Sequence, residues 1–324
     1  MKKRNRGRIL KKVFARSISK RDTAKEKKPY KIKWLYECFG QSKQAYYQKL
    51  KAQKRREDEA VIIKEMIEPI RKKMPRYGTE KLHLDISEKL RQSNIKMRRD
   101  RFLTFCRQHR LLVPKTKRSF ITTDSNHHYH KPPNRIKDLV VTHAEQVFVS
   151  DITYIKLEDR HAYLALVTDL YSKKIMGYKL DDNIRTSLVK EALQMAINNK
   201  EHNSINTIHH SDRGIQYCFP EYTEFATSNG MILSTTEKYD PYENAVAERI
   251  NQTLKYEFGL IKTIPSLGIA HKMLQQAVNI YNNQRRHRSI EMRTPSFAHT
   301  NQNHSYRSYK KNAARNVDKV EKIP

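Results

Sequence analysis

The chain has three cysteines in 324 residues, Cys38, Cys106 and Cys218. They are scattered and odd in number, so they give neither a disulfide framework nor a zinc-type pair and read as small buried hydrophobes. No stretch approaches the roughly 20 apolar residues of a membrane-spanning helix. The Lys- and Arg-rich N-terminus leads into no apolar run, which argues against a secretory signal; a cytoplasmic protein with no membrane partner is expected. Acidic residues are also scarce. With 34 of them against 65 Lys and Arg, the net charge is +31, an excess that points to a polyanionic partner, nucleic acid first. The apolar fraction of 37% is lean but sufficient for one large domain and one or two small ones.

Much of the charge lies at the start. Residues 1–56 hold 21 basic and three acidic residues. Residues 1–28 show no apolar periodicity and read as a basic arm, expected to be disordered until it meets phosphates. Residues 29–56 outline a helix-turn-helix, with a turn at Phe39 and Gly40 and a second helix capped by Ser42. Residues 57–113 offer three helical segments, around Ile62 to Lys72, Thr79 to Leu90 and Met97 to His109. Arg98, Arg99, Arg101, Arg107 and Arg110 stud the last. Such a unit contacts DNA or merely packs. Residues 114–140 read as an extended linker containing Pro132 and Pro133, and residues 301–324 as a basic tail.

From Gln146 the pattern changes. VFVSDITYIKL, HAYLALVTDL and KKIMGYKL are β-rich runs separated by short polar turns, which predicts an antiparallel meander. Helix SLVKEALQMAINN, strand INTIHHSD, helix PEYTEFATSNG, strand MILSTT and helix NAVAERINQTLKYEFG follow, so the later strands should be parallel. The order predicts an α/β class: a ribonuclease-H-like mixed-sheet catalytic domain over residues 141–300, preceded by small all-α helix-turn-helix-like segments.

Three carboxylates stand out: Asp151 on the first strand, Asp212 at the end of the fourth and Glu248 in the last of these helices. Hard oxygen ligands on separate rigid elements suit Mg²⁺. A pair of such ions can activate the attacking oxygen and stabilise the leaving one at a phosphodiester. Each acid alone reads equally as a turn cap or the wet face of a helix.

DITYI, HSDRGIQY, ENAVAERINQTLK and YNNQRRHRSIEMRTPSF occur in order, with thirty-five residues between Asp212 and Glu248. In these motifs the chain resembles the integrase-core (DDE-type) transposases of bacterial insertion sequences, specifically the second-frame (orfB) product of the insertion-sequence-three group. The likeness extends upstream through YYQKL, RYGTEKL and HRLL, covering roughly Lys31 to Phe297. Phe148 and Ser150 stand where the family usually has Trp and Thr, Glu243 replaces an Asp, and Tyr239 falls where Gly is common.

The resemblance implies that Asp151, Asp212 and Glu248 are the catalytic and metal-binding residues, holding Mg²⁺, or Mn²⁺ as a substitute, with two ions. It implies a transposase that cleaves and joins DNA strands at the ends of its element by phosphodiester transfer and integrates the element into target DNA. Double-stranded DNA, as terminal inverted repeats and target, is the implied partner. Also implied are a homo-oligomer on DNA, nucleoid association in a bacterium, and a small first-frame helix-turn-helix/leucine-zipper protein or a frameshift fusion with it. An inactive relic, a DNA-binding regulator and a plain ribonuclease-H-type nuclease are the alternatives.

His210 and Arg213 flank the second acid, as support and DNA contact, with Gly214 allowing a close turn. Asn244 and Lys255 share a helix face with Glu248 and should meet DNA. Arg285, Arg286 and Arg288, near the end of a helix that starts around Leu267, serve either phosphate binding or helix-end charge compensation. Asp169 reads as structural.

Overall fold

The computed structural model describes residues 42–114, 128–202, 206–237 and 244–302. The expected arm, the turn at Phe39 and Gly40, Cys38, Tyr239, Glu243 and the tail lie outside the described residues. The chain divides into two compact units, residues 1–66 and 67–324.

Ser42 caps the first helix as expected, its Oγ accepting from the Ala45 amide at 3.1 Å. That helix, α1, runs from Lys43 to Lys73 without interruption. The separation drawn between residues 56 and 57 therefore falls inside a helix, and the segment around Ile62 to Lys72 is its continuation. The run of charged residues from Lys51 to Glu59 looks like a boundary in composition. It instead forms helical ladders such as Gln53 to Glu57 and Arg55 to Glu59.

Two shorter helices follow, α2 (Thr79–Gln92) and α3 (Arg99–Gln108). Leu82, Ile86 and Leu90 on α2 and Phe102, Phe105 and Cys106 on α3 bury one face of each. The five arginines on and beside α3 remain exposed.

The large unit is built on strands β1 (Val147–Lys156), β2 (His161–Asp169), β3 (Ile175–Asp181), β4 (Ile208–Ser211) and β5 (Ile232–Thr235). They form one sheet in the order β3-β2-β1-β4-β5. The first three pair antiparallel, while β4 pairs parallel with β1 and β5 parallel with β4. This is the ribonuclease-H-like arrangement.

Helix α4 (Thr186–Asn198) joins β3 to β4; α5 (Ile215–Cys218) and α6 (Pro220–Ser228) join β4 to β5. Beyond β5 come α7 (Ala245–Glu257), α8 (Leu267–Asn283) and α9 (Pro295–Asn301). Serine and threonine start the last two: Ser266 accepts from Ile269 N, and Thr294 from Phe297 N ahead of Pro295.

Side-chain alternation along β1 feeds two cores. Val147 and Val149 pack with Val246, Ile250 and Leu254 of α7 and with α8. Phe148 packs with Leu188, Val189 and Leu193 of α4 and with Tyr217 and Tyr222. Gly177 on β3 allows α4 to approach, since a Cβ there would lie 2.1 Å from the Ala192 carbonyl oxygen. The two cysteines among the described residues, Cys106 and Cys218, are free and buried. No helix among these residues is long and apolar enough to cross a membrane.

Candidate active site

β1 is buried at its start and opens at Asp151. Ser150 is 1% exposed, and the next three residues are half-buried. The change coincides with a fork in the sheet. The parallel pairing with β4 ends at Val149↔His210, whereas the pairing with β2 continues to Lys156↔His161. Asp151 follows the fork on β1, and Asp212 is the first residue past the end of β4. Glu248 enters from the first turn of α7, whose buried face (Val246, Ala247, Ile250, Leu254) lies in the core beneath β1.

The three carboxylates feel one another. Burial, then repulsion from Asp212 and Glu248, raises the Asp151 carboxyl, against a hydrogen bond from Asn251 that acts the other way. Burial and then Asp212 raise Glu248. Carboxylates gathered where burial and then neighbouring negative charge disfavour ionisation are a cation's donor set in chemical character. Among the described residues, a compact group of metal-capable side chains, with all ligand atoms within 4.8 Å of one another, lies elsewhere, at Glu145, His202 and His299.

The residues around the acids hold them in place. Asn251 Nδ2 donates to Asp151 Oδ2 at 2.8 Å. The Gly214 amide donates to Asp212 Oδ1 at 3.0 Å, and a Cβ on Gly214 would lie 3.0 Å from that same oxygen. Glycine is therefore favoured by close approach to the carboxylate, which a Cβ would press back by a few tenths of an ångström; its φ of −59° is ordinary. Asn251 was missed in the sequence, although it stands three residues after Glu248, one helical turn on.

The expected DNA contacts separate into two sets. Arg213 is half-buried, its Nε donating to the Thr236 carbonyl at 2.5 Å. Lys255 is half-buried with its Nζ 4.1 Å from the centre of the Tyr154 ring. Burial lowers its pKa while Asp151 raises it, which puts the ammonium within electrostatic reach of the site. Arg288 is exposed.

His210, Asn244, Arg285 and Arg286 are placed otherwise than expected. His210 is fully buried, its Nδ1 2.9 Å from Ser234 Oγ, so it braces β4 on β5 and presents no surface to DNA. Its neighbour His209 is buried on the opposite face between Ser150 and Tyr222, and burial pulls its pKa down to about 3. Asn244 does not share the exposed face of Glu248. Buried at 7% exposure, it donates from Nδ2 to the Ser150 carbonyl at 3.0 Å.

Arg285 makes a buried two-pronged ion pair with Glu257, both bonds 2.7 Å. Arg286 pairs with Asp85 of α2 at 2.5 Å, and its amide meets Tyr77 Oη at 3.3 Å. These two arginines tie elements together through their carboxylate partners.

The Glu145, His202, His299 group is already hydrogen-bonded within the protein. Glu145 accepts from the amides of Glu201 and His202 and meets His299 Nε2 at 3.2 Å. Asp169, which accepts from the Glu145 and Ser172 amides at 2.8 Å each, faces His299 Nδ1 at 3.5 Å. This network latches α9 to the ends of β1 and β2, and Asp169 belongs to it, away from the three acids.

Comparison with known proteins agrees with this architecture. One integrase core domain family matches residues 141–241 and a second matches residues 229–295. The chain is 29% identical over 267 residues to the insertion element IS600 uncharacterized 31 kDa protein of Shigella sonnei, covering 81% of this chain and 96% of that one. It is 32% identical over 121 residues to transposase InsF for insertion sequence IS3A of Escherichia coli K12, covering 37% of this chain and 42% of that one. Over 119 residues it is 32% identical to the transposase for insertion sequence element IS629 of Shigella sonnei, 37% of this chain and 40% of that one. The match thus spans less than half the length of these two transposases. A solved HTLV-2 integrase catalytic core domain in complex with magnesium aligns at 19% identity and a TM-score of 0.39, covering 48% of this chain and 97% of that one. Residues 141–295 thus match integrase core domain families, and the chain is similar to transposases of bacterial insertion elements.

Proposed function

We propose that the protein is a divalent-metal-dependent DNA strand transferase that cuts at the ends of its own insertion sequence and joins them to target DNA. The observation that supports this reading is that Asp151, Asp212 and Glu248 come from three elements and interact, burial and then the neighbouring carboxylates raising Asp151 and Glu248. The donor set fits hard cations. Two Mg²⁺ ions, or Mn²⁺ in their place, would be held by these residues and supply charge stabilisation for the attacking and leaving oxygens.

The rest falls to the chain itself. Asn251 and the Gly214 amide fix the carboxylate oxygens, and Lys255, Arg213 and Arg288 supply positive charge for phosphates. In the first step a water oxygen forms a bond to phosphorus while the bond to the 3′-oxygen breaks, leaving a 3′-hydroxyl. In the second, that hydroxyl attacks another phosphodiester and displaces its 3′-oxygen, so the number of phosphodiester bonds is preserved. Double-stranded DNA bearing the terminal repeats, a second copy of the chain on that DNA, and a first-frame helix-turn-helix/leucine-zipper partner or fusion complete the proposed assembly, which would act on the bacterial nucleoid.

The test is cleavage and joining of labelled duplexes carrying the flanking repeats, with Mg²⁺ or Mn²⁺, by wild type and by Glu248→Gln. Joined product that disappears in the variant is expected. Product that persists removes Glu248 from the chemistry, and cleavage without joining in wild type favours a nuclease.

A further inference from the structure

Beside the acids lies a cavity that phosphodiester chemistry at three carboxylates does not require. It measures about 550 Å³, within the range of roughly 300–1,000 Å³ of pockets that enclose small organic ligands. Asp212 is part of its wall. The remainder comes mostly from flat or apolar side chains: Tyr154 of β1, His161 and Tyr163 of β2, Ile184 after β3 and Ile215 of α5.

Several of these groups stay in water at a cost. Tyr154 is 37% exposed, and Ile184 and Ile215 are each 42% exposed. The Tyr154 ring stands edge-on to His161, with centroids 5.5 Å apart at 81°. Lys255 Nζ lies over the same tyrosine at 4.1 Å. Aromatic and aliphatic walls, with an ammonium over the Tyr154 ring that forms one of them, describe a receptor for a planar, uncharged ring carried on an anionic chain. A bare phosphate would find apolar walls, and an acidic peptide would meet Asp212.

Because Asp212 belongs to both the set of acids and the cavity wall, a phosphate held through cations at these acids would bring a neighbouring base to the cavity that Tyr154 also lines. The geometry points to this cavity as the pocket for one unpaired nucleobase, the base adjacent to the phosphodiester being transferred, swung out of the helical stack. The assignment rests on the reading of the three acids as a strand-transfer centre and adds a positioning device to it. Withdrawing one base from the duplex frees its flanking phosphate to approach the acids, and the cost of unpairing is smallest near a DNA end.

The test uses the full chain and duplexes carrying the flanking repeats. 2-Aminopurine is placed singly at each position within two nucleotides of the transferred phosphodiester, and binding is read by fluorescence in Ca²⁺ without chemistry. A several-fold rise at one position with wild type, lost with Tyr154→Ser and with Ile184→Ser, is expected. In a second arm, strand joining in Mg²⁺ compares wild type with Tyr154→Ser on normal DNA and on DNA abasic at that position. The variant's defect, about tenfold on normal DNA, should shrink towards none on abasic DNA, which a merely structural loss would not do. No fluorescence change at any position, or an equal defect on both substrates, overturns the pocket. A failure of the strand-transfer reading shows differently, as wild type that gives the fluorescence rise but no metal-dependent product.

Discussion

Asn251 Nδ2 donates a 2.8 Å hydrogen bond to Asp151 Oδ2 across 100 residues of sequence. The bond orients the Asp151 carboxylate, and its donor is 4% exposed on the buried side of α7. Asn251→Ala should leave the fold intact and lower strand joining about 10–100-fold, the usual effect of removing an outer partner of a metal ligand. The midpoint of a Mg²⁺ titration should move to higher concentration. An unchanged midpoint would show that the amide serves packing alone.

Gly214 leaves little room for a side chain, since a Cβ would sit 3.0 Å from Asp212 Oδ1 and 3.3 Å from Gln216 Oε1. Gly214→Ala is expected to reduce cleavage roughly tenfold while the melting temperature moves by only a few degrees. Comparable activity would mean that Asp212 accommodates the methyl group by turning away without cost.

Arg285 and Glu257 have side chains 4% and 18% exposed. Burial opposes both charges, but the shared hydrogen bonds lower Glu257 and raise Arg285 despite it. Glu257→Ala should cost about 3–5 kcal/mol by leaving the guanidinium unpaired in the interior. The double variant Glu257→Leu, Arg285→Met should recover much of that loss. Urea unfolding of wild type and the two variants checks this, and a double variant no more stable than Glu257→Ala would contradict it.

The latch at α9 predicts a pH dependence. Burial alone would lower His299, yet its hydrogen bonds to Asp169 and Glu145 raise it on balance. Its contribution is therefore complete below the ordinary histidine value of about 6.5 and fades as pH rises through the raised value. Glu145 and Asp169 are lowered in spite of burial, chiefly by His299. Their share is complete above ordinary carboxylate values and fades as pH falls through the lowered ones. The latch is strongest between roughly pH 4.5 and 6.5. In His299→Gln the fall of melting temperature from pH 6.5 to 9 should be flatter than in wild type; equal slopes would show that His299 is neutral throughout.

Hydrophobic period made most of the large unit legible. The alternating runs at Val147–Leu157 and His161–Leu170 became β1 and β2 because their side chains feed two cores, and Ser42 gave its cap as a local hydrogen bond. The short α5, α9 and the turn of 3-10 helix at Arg288–Ile290 were missed, since one or two turns are too few to display a period. The asparagine behind Asp151 was hidden for another reason. Polar residues on a helix read as its wet face, and nothing local distinguishes Asn251, which points inward, from Gln252, which does not. Arg285 misled similarly, because its partner Glu257 is 28 residues away and a basic cluster in sequence looks free until its counter-ion is in view.

The sheet's fork has one more consequence. Where β4 stops at Ser211, β1 has lost the neighbour that would bond its backbone, and the Asn244 side chain supplies the donor that Ser150 O would otherwise take from a strand. A single amide thus does the work of a missing strand while leaving open the gap that a strand would close. Extending β4 by even a pair of residues would zip the fork shut over Asp151, so the reach of one short inner strand sets whether this sheet is a scaffold or holds an open site.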